Sequence, residues 1–108
     1  MPRVFVVQVP SRREDGEWVA KYDLSPAEAF GEIVPILPPG NVPIDPTPTR
    51  RRLVDALRAF DRHSDYLLLL GDPVAIAQAV SVLSAEPGRI SVLKWDRRTA
   101  TYSPYLIG

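Results

Sequence analysis

The stretch DYLLLLGDPVAIAQAVSVLSAEPGRISVLKW, residues 65–95, decides the fold class. It begins with a strand-sized apolar run, which is typical of a central strand covered on both faces. The turn Gly71–Pro73 then leads into a predicted helix that ends at Pro87-Gly88, and residues 90–95 form the next predicted strand. This order predicts a right-handed crossover between two parallel strands.

The rest of the chain adds strands on both sides of this unit. Predicted strands lie at residues 3–9, 18–23, 33–37, 65–70, 90–95 and from the turn at 96–99 to about 107. We expect the first two strands to pair as a hairpin across a charged turn at 11–17, and the last two to pair as another hairpin. The predicted fold is a single α/β domain over residues 1–108, with a mixed sheet of four to six strands and two main helices.

Two further positions carry helix-start signals. Ser25 precedes Pro26, and Glu28 completes a capping-box spacing, but Gly31 limits that helix to about two turns. Thr47-Pro48 starts the first long helix by the same N-cap logic. These signals add one short helix to the two main ones.

The first long helix has two distinct faces. An apolar stripe is formed by Leu53, Leu57 and Phe60. His63 is expected at the C-terminal end of this helix, where a cation interacts favourably with the helix dipole. The opposite face keeps a positive excess because one aspartate cannot neutralise three arginines. We predict this face as a protein-binding surface; its residues are Arg51, Asp55, Arg58 and Arg62.

Residues 35–48 form a proline-rich arm with six prolines. Proline fixes φ and removes a donor, so the segment is expected to be extended. Val42 and Ile44 are suited to anchor it in the core, which favours an ordered arm over a flexible linker. Because an ordered arm loses little entropy on binding, Pro39, Val42 and Pro43 are candidate protein-binding residues.

The second long helix has no charged residue between Val74 and Ala85. An exposed helix normally shows a charged face. One interpretation is that this helix is packed between the sheet and the other helix, with Ile76, Val80 and Leu83 on one face. The other is that its weakly polar stripe contacts a partner protein or a second copy.

Composition excludes several functional classes. Thirteen basic and thirteen acidic residues give no net charge, which argues against a general nucleic-acid binder. The charge is unevenly distributed, with net −3 over residues 1–49 and net +3 over residues 50–108, so it can steer a partner or align two copies. There is no cysteine, which fits a reducing cytoplasm, and no run of the roughly 18–20 apolar residues that a membrane span requires.

The sequence supports no catalytic, cofactor or metal site. A single histidine and no cysteine make a metal centre improbable. Gly71-Asp72 superficially resembles a phosphate-binding turn, but the further glycines and the lysine of such loops are missing, and Asp72 is placed to cap its own helix. We therefore expect a protein that is not an enzyme.

Two alternatives to protein binding remain open. The opening Pro2 followed by a strand resembles the tautomerase superfamily, and the resemblance implies Pro2 as general base with Arg12 and Arg13 as its arginine partners. The other alternative is a single-stranded nucleic-acid-binding module, since charge next to aromatic rings suits exposed bases. The residues that suggest it are Trp95, Arg97, Arg98, Tyr102 and Tyr105.

The stretches DYLLLLGDPVAI and KWDRRTATYSPYLI resemble small uncharacterised proteins encoded by tailed phages and related mobile elements. The resemblance covers roughly residues 65–108 and implies an origin but no site. We predict a small accessory or inhibitor-like protein that binds a partner protein or itself in the host cytoplasm. Arg97 and Arg98, at the tip of the last hairpin, complete its predicted binding residues.

Overall fold

The apolar runs of the chain assemble into one five-stranded sheet with helices on both faces. A computed structural model describes all 108 residues. Its elements are β1 (Arg3–Gln8), β2 (Ser11–Glu14), β3 (Glu17–Ala20), a 3-10 helix (Ser25–Phe30), β4 (Glu32–Leu37), α1 (Pro46–Leu57), β5 (Tyr66–Leu68), α2 (Pro73–Leu83), β6 (Ile90–Asp96) and β7 (Thr101–Ile107).

The strand order in this sheet is β4-β1-β5-β6-β7. The first four strands are parallel, and β7 pairs antiparallel with β6. The mixed α/β sheet and the β5-α2-β6 crossover predicted from residues 65–95 are thereby confirmed. β5 is the central strand, and its Leu67 and Leu68 side chains are fully buried in the cores on opposite faces of the sheet.

The predicted hairpin between the first two strands is wrong. β1 pairs with β4 and β5 instead. β2, inside the segment predicted as a charged turn, forms a separate antiparallel hairpin with β3, which overlaps the predicted second strand. Residues 4–8 are buried, and a strand that is apolar on both faces belongs in the middle of a sheet. Asp15 and Gly16 both have positive φ, which is the two-residue hairpin turn that an Asp-Gly pair favours.

The sheet separates two apolar cores. On one face, α1 and α2 pack against a cluster that includes Phe5, Val7 and Leu67. On the other face, the 3-10 helix covers a smaller cluster that includes Leu68, Leu93 and Tyr102. The candidate site described below lies at the rim of this smaller core.

Both edge strands of the sheet contain a proline. Pro35 lies in β4, as predicted, and Pro104 lies in β7. Since proline has no N–H, each edge has a gap in the row of donors that an added strand would need. Neither edge is therefore suited to pairing with a strand of another chain.

Three helix boundaries differ from those predicted. The carboxylate of Asp45, rather than Thr47, caps α1 and accepts from the Thr47 N–H at 3.0 Å. Leu24 rather than Ser25 occupies the N-cap of the 3-10 helix, without a side-chain cap, because Asp23 holds the Ser25 N–H and hydroxyl. α1 ends at Leu57, so His63 lies in a later turn and not at the helix end.

The buried face of α2 is formed by two alanines and a leucine. Ala75, Ala79 and Leu83 are buried, whereas Ile76 and Val80 are only partly buried, so the predicted face is rotated by one position. Asp72 caps the helix as predicted, with its carboxylate accepting from the N–H groups of Val74 and Ala75. Neither helix has the length and apolar character needed to cross a membrane.

Candidate functional site

The carboxyl ends of the parallel strands bring three loops together. β1 continues into the β2–β3 hairpin, β4 into the proline-rich arm, and β6 into the turn that contains Arg97. β1 and β5 are neighbours in the sheet. After β1 the chain adds its next strand of this sheet, β4, on one side of this pair, and after β5 it adds β6 on the other side. The crevice between two such strands is where open α/β sheets commonly bind ligands.

In this protein the side chain of Gln8 fills that crevice. Its Oε1 accepts from the Asp72 N–H at 3.1 Å, and its Nε2 donates to the carbonyls of Pro38 and Gly40 at 3.0 and 2.8 Å. Gly71 approaches so closely that a Cβ atom there would lie 2.5 Å from the Cβ of Gln8. Gln8 thus closes the usual ligand position and holds the start of the arm against the sheet.

The proline-rich arm is shorter than predicted. Pro35 belongs to β4 and α1 begins at Pro46, so the arm comprises residues 38–45. Val42 packs against the core as predicted, but Ile44 is fully exposed, and its predicted anchoring role is wrong. Pro39 and Pro43 are exposed, and together with Val42 they line a small groove of about 230 Å³.

The β2–β3 hairpin extends away from the core. Every residue from Arg12 to Tyr22 is exposed, including Trp18 and Val19. The guanidinium of Arg13 lies 4.7 Å from the centre of the Trp18 ring, and the same ring lies beside Gly40 of the arm. We call the hairpin (residues 11–20) and the arm (residues 38–45) the hairpin–arm surface.

A second feature, the aromatic groove, lies beside this surface. It has a volume of about 580 Å³ and is lined by Lys21, Tyr22, Asp23, Pro26, Leu70, Trp95, Arg97 and Tyr102. Trp95 and Tyr102 are paired across β6 and β7, with ring centroids 5.0 Å apart in an edge-to-face arrangement. The groove therefore joins exposed aromatic surface with two cations and one carboxylate.

Two ionisable groups in the groove are held in defined states. Burial, and then the charge of Asp23, raises the pKa of the Tyr102 hydroxyl above its usual 10.0. The hydroxyl and N–H of Ser25 lower the pKa of Asp23, which stays ionised. The groove presents one neutral hydroxyl and one carboxylate side by side.

The model of the phage Pam3 gp32-like protein family matches residues 2–108 of the chain. The chain belongs to this family. The match confirms the resemblance to small phage proteins and extends it from residues 65–108 to nearly the whole chain. No curated protein and no solved structure matches the chain.

In this family member the predicted arginine face is divided. Arg51 and Arg58 are exposed on α1, where Arg58 lies 3.8 Å from Asp55. Arg62 lies beyond the helix, is mostly buried, and donates to the carbonyl of Leu83 at the end of α2. Arg62 thus has a different environment from the other two, although it lines a groove of about 390 Å³ together with Arg58.

Arg97 and Arg98 also have separate environments. Arg97 lines the aromatic groove, whereas Arg98 lies 3.6 Å from the carboxylate of Asp96 in the same turn. Of the aromatic residues predicted for nucleic-acid binding, Trp95 and Tyr102 line the groove, while Tyr105 is exposed on β7. The groove residues that the sequence analysis missed are Lys21, Tyr22 and Asp23, which were assigned to the end of a strand.

The residues implied by the tautomerase resemblance are far apart. Pro2 is exposed before β1, where its carbonyl accepts from the Glu32 N–H at 3.1 Å. Arg12 and Arg13 follow the other end of β1, about 20 Å away along a strand of this length. The structure does not bring the proline and the two arginines together.

Proposed function

We propose that this phage-family member is a non-enzymatic accessory protein that binds another protein in the host cytoplasm through the hairpin–arm surface. The observation that supports the proposal is the exposure of the whole β2–β3 hairpin. A two-stranded hairpin is marginally stable alone in water, so one that packs against little else gains stability from a partner.

The two sides of the hairpin carry different contact groups. Trp18 and Val19 are adjacent in β3 and point to opposite faces, with 42% and 36% of their surfaces exposed. Trp18 faces the arm, between Gly40 and the Arg13 guanidinium. Tryptophan and arginine are the residues that most often dominate the energy of protein interfaces.

The arm supplies a rigid neighbour to the hairpin. Gln8 fixes its first residues through the carbonyls of Pro38 and Gly40, and Val42 packs against the core. Its fully exposed Ile44 adds apolar surface beyond the anchored part. A segment ordered before binding loses little conformational entropy in the complex.

The mode of binding follows from the edges of the sheet. Since Pro35 and Pro104 interrupt both edge strands, addition of a partner strand to the sheet is disfavoured. The chain has no net charge, and Arg12, Arg58 and Arg98 lie 2.8, 3.8 and 3.6 Å from the carboxylates of Glu14, Asp55 and Asp96. Side-chain contacts of the hairpin with a protein therefore fit better than a charged surface that follows a nucleic-acid backbone.

The proposal is tested by site-specific photo-cross-linking in phage-infected host cells. A photoreactive amino acid replaces Val19, and the matched control replaces Val74, which is an exposed valine on α2. We expect one discrete protein adduct from position 19 and none from position 74. Trp18→Ala in the position-19 protein should remove the adduct without altering the circular dichroism spectrum.

Two results would overturn the proposal: equal cross-linking from both positions, or no protein adduct from position 19. A variant with Arg51→Gln and Arg58→Gln addresses the surface on α1. If this variant loses the adduct and Trp18→Ala keeps it, the binding surface is the arginine face of α1 and not the hairpin–arm surface.

A further inference from the structure

The hydroxyl of Tyr102 is available for hydrogen bonding at the wall of the aromatic groove. The Tyr102 ring is largely buried and lines the groove, and its hydroxyl makes no hydrogen bond within the chain. A tyrosine hydroxyl in such a position usually has a hydrogen-bond partner. Water fills that role in the free protein, and a polar atom of a ligand can replace it.

The two cations of the groove form no ion pair. Neither Lys21 nor Arg97 forms a salt bridge, in contrast to the neighbouring Arg98. Asp23 uses one carboxylate oxygen for the Ser25 N–H and hydroxyl, at 2.9 and 2.6 Å, and its other oxygen makes no hydrogen bond. The groove can thus bind an anionic group with its cations and accept hydrogen bonds from hydroxyl groups with Asp23.

The apolar part of the groove is aromatic. Tyr22 is 58% exposed and Trp95 is 39% exposed, so both rings offer surface to a ligand in the groove. Planar bases stack on such rings without requiring a particular sequence. A volume of about 580 Å³ lies within the range of small-molecule sites, and it is too small to follow a long strand of nucleic acid.

We infer that the aromatic groove binds a nucleoside monophosphate. Its base stacks on Trp95 and Tyr22, its phosphate interacts with Lys21 and Arg97, and its ribose hydroxyls donate to Asp23. The site lies at the carboxyl edge of β5 and β6, beside the crevice that Gln8 closes. This inference is independent of partner binding by the hairpin–arm surface, because none of its residues lies in that surface.

The ligand is tested by tryptophan fluorescence in a Trp18→Phe background, where Trp95 is the one remaining indole. We expect saturable quenching by adenosine 5′-monophosphate. Adenosine should bind about tenfold more weakly, since it lacks the charge-assisted contacts of the phosphate, and inorganic phosphate should not quench. Equilibrium dialysis of the same nucleotide with wild-type protein provides a measurement that does not depend on the Trp18→Phe variant.

Matched variants identify the residues involved. Arg97→Gln should raise the Kd about tenfold, whereas Arg98→Gln, in the same turn but paired with Asp96, should leave it within about twofold. Tyr22→Ala should weaken binding, and Tyr105→Ala, an exposed tyrosine on β7, should not.

Three results would overturn the inference: no saturable binding at millimolar nucleotide by either method, equal effects of Arg97→Gln and Arg98→Gln, or much tighter binding of an oligoadenylate than of the monophosphate. The last result would identify the groove as part of a single-stranded nucleic-acid site. None of these results changes the cross-linking expected from position 19, so the two proposals fail separately.

Discussion

The Gln8 side chain accepts a hydrogen bond from the backbone N–H of Asp72 across 64 residues of sequence, at 3.1 Å. The same side chain donates to two carbonyls of the arm. One buried amide therefore connects the ends of β1, β4 and β5. This arrangement explains how a short β5 and a proline-rich segment are held together at the edge of the sheet where the candidate site lies.

Replacing Gln8 by alanine should destabilise the protein. Three part-buried backbone groups lose their side-chain partner, and a polar group left unsatisfied away from water costs about 1–3 kcal/mol. We expect a loss of about 2–3 kcal/mol in urea denaturation and faster proteolysis within residues 38–45. Unchanged stability would show that water replaces the amide at no cost.

A second glutamine serves as the contrasting case. The Oε1 atom of Gln78 is buried in α2 and has no hydrogen-bond partner. Gln78→Leu removes this unsatisfied acceptor and keeps a side chain of similar size, so stability should stay the same or rise by about 1 kcal/mol. A loss comparable to that of Gln8→Ala would show that Gln78 is hydrogen-bonded in solution.

Asp65 makes a comparable connection at the amino end of the sheet. Its buried carboxylate accepts from the backbone N–H groups of Arg3 and Asp61, at 2.9 and 2.8 Å, and from the Arg3 guanidinium at 3.2 Å. Asp65→Ala should cost about 2–3 kcal/mol in chemical denaturation, because both N–H groups lose an acceptor. Arg3→Ala should cost less, since that side chain is 35% exposed and both N–H groups keep their acceptor. Equal losses would assign the stabilisation to the ion pair instead.

Replacing the leucines of residues 67–70 by alanine, one at a time, should destabilise the protein by amounts that fall steeply along the run. Leu67 and Leu68 are fully buried, whereas Leu69 and Leu70 are partly buried at the end of the strand. Each of Leu67→Ala and Leu68→Ala should cost about 2–5 kcal/mol, and Leu69→Ala should cost less. A uniform cost along the run would contradict the central position of β5 and the early end of the strand.

The elements that the sequence predicted well are those with strong local signals. The strand predicted at residues 65–70, of which 66–68 form β5, the Asp72 cap and the crossover to β6 each depend on a pattern within about 30 residues. The partners of β1 depend on which strands pair with its two edges, and no local pattern specifies that. The hairpin turn at Asp15-Gly16 had a local signal that the surrounding charged residues obscured.

The candidate site was only partly predictable, since its walls come from distant segments. Trp95, Arg97 and Tyr102 are close in sequence and were recognised as a basic and aromatic group. Lys21, Tyr22 and Asp23 join them because β1 carries the chain to the same edge of the sheet where β6 ends. The position of Arg62 was not predictable for the same reason. It depends on where α1 ends and on the carbonyl of Leu83 in α2, which is distant in sequence.

Tyr102 gives the stability of the protein a dependence on alkaline pH. Burial, and then the charge of Asp23, raises the pKa of its hydroxyl above the value of 10.0 that applies when the chain is unfolded. The unfolded state therefore loses this proton at a lower pH than the folded state does. The contribution to stability is fully present below about pH 10 and is lost as the pH rises through the folded-state pKa.

Tyr102→Phe should reduce this dependence. We expect the free energy of unfolding of the wild type to fall more steeply between about pH 9 and about pH 11 than that of the variant, as measured by urea denaturation. At neutral pH the two proteins should have similar stabilities, because the hydroxyl makes no hydrogen bond within the chain. Tyr105→Phe, which changes an exposed tyrosine, should keep the wild-type slope. Parallel slopes for the wild type and Tyr102→Phe would show that the Tyr102 hydroxyl titrates as freely in the folded protein as in the unfolded chain.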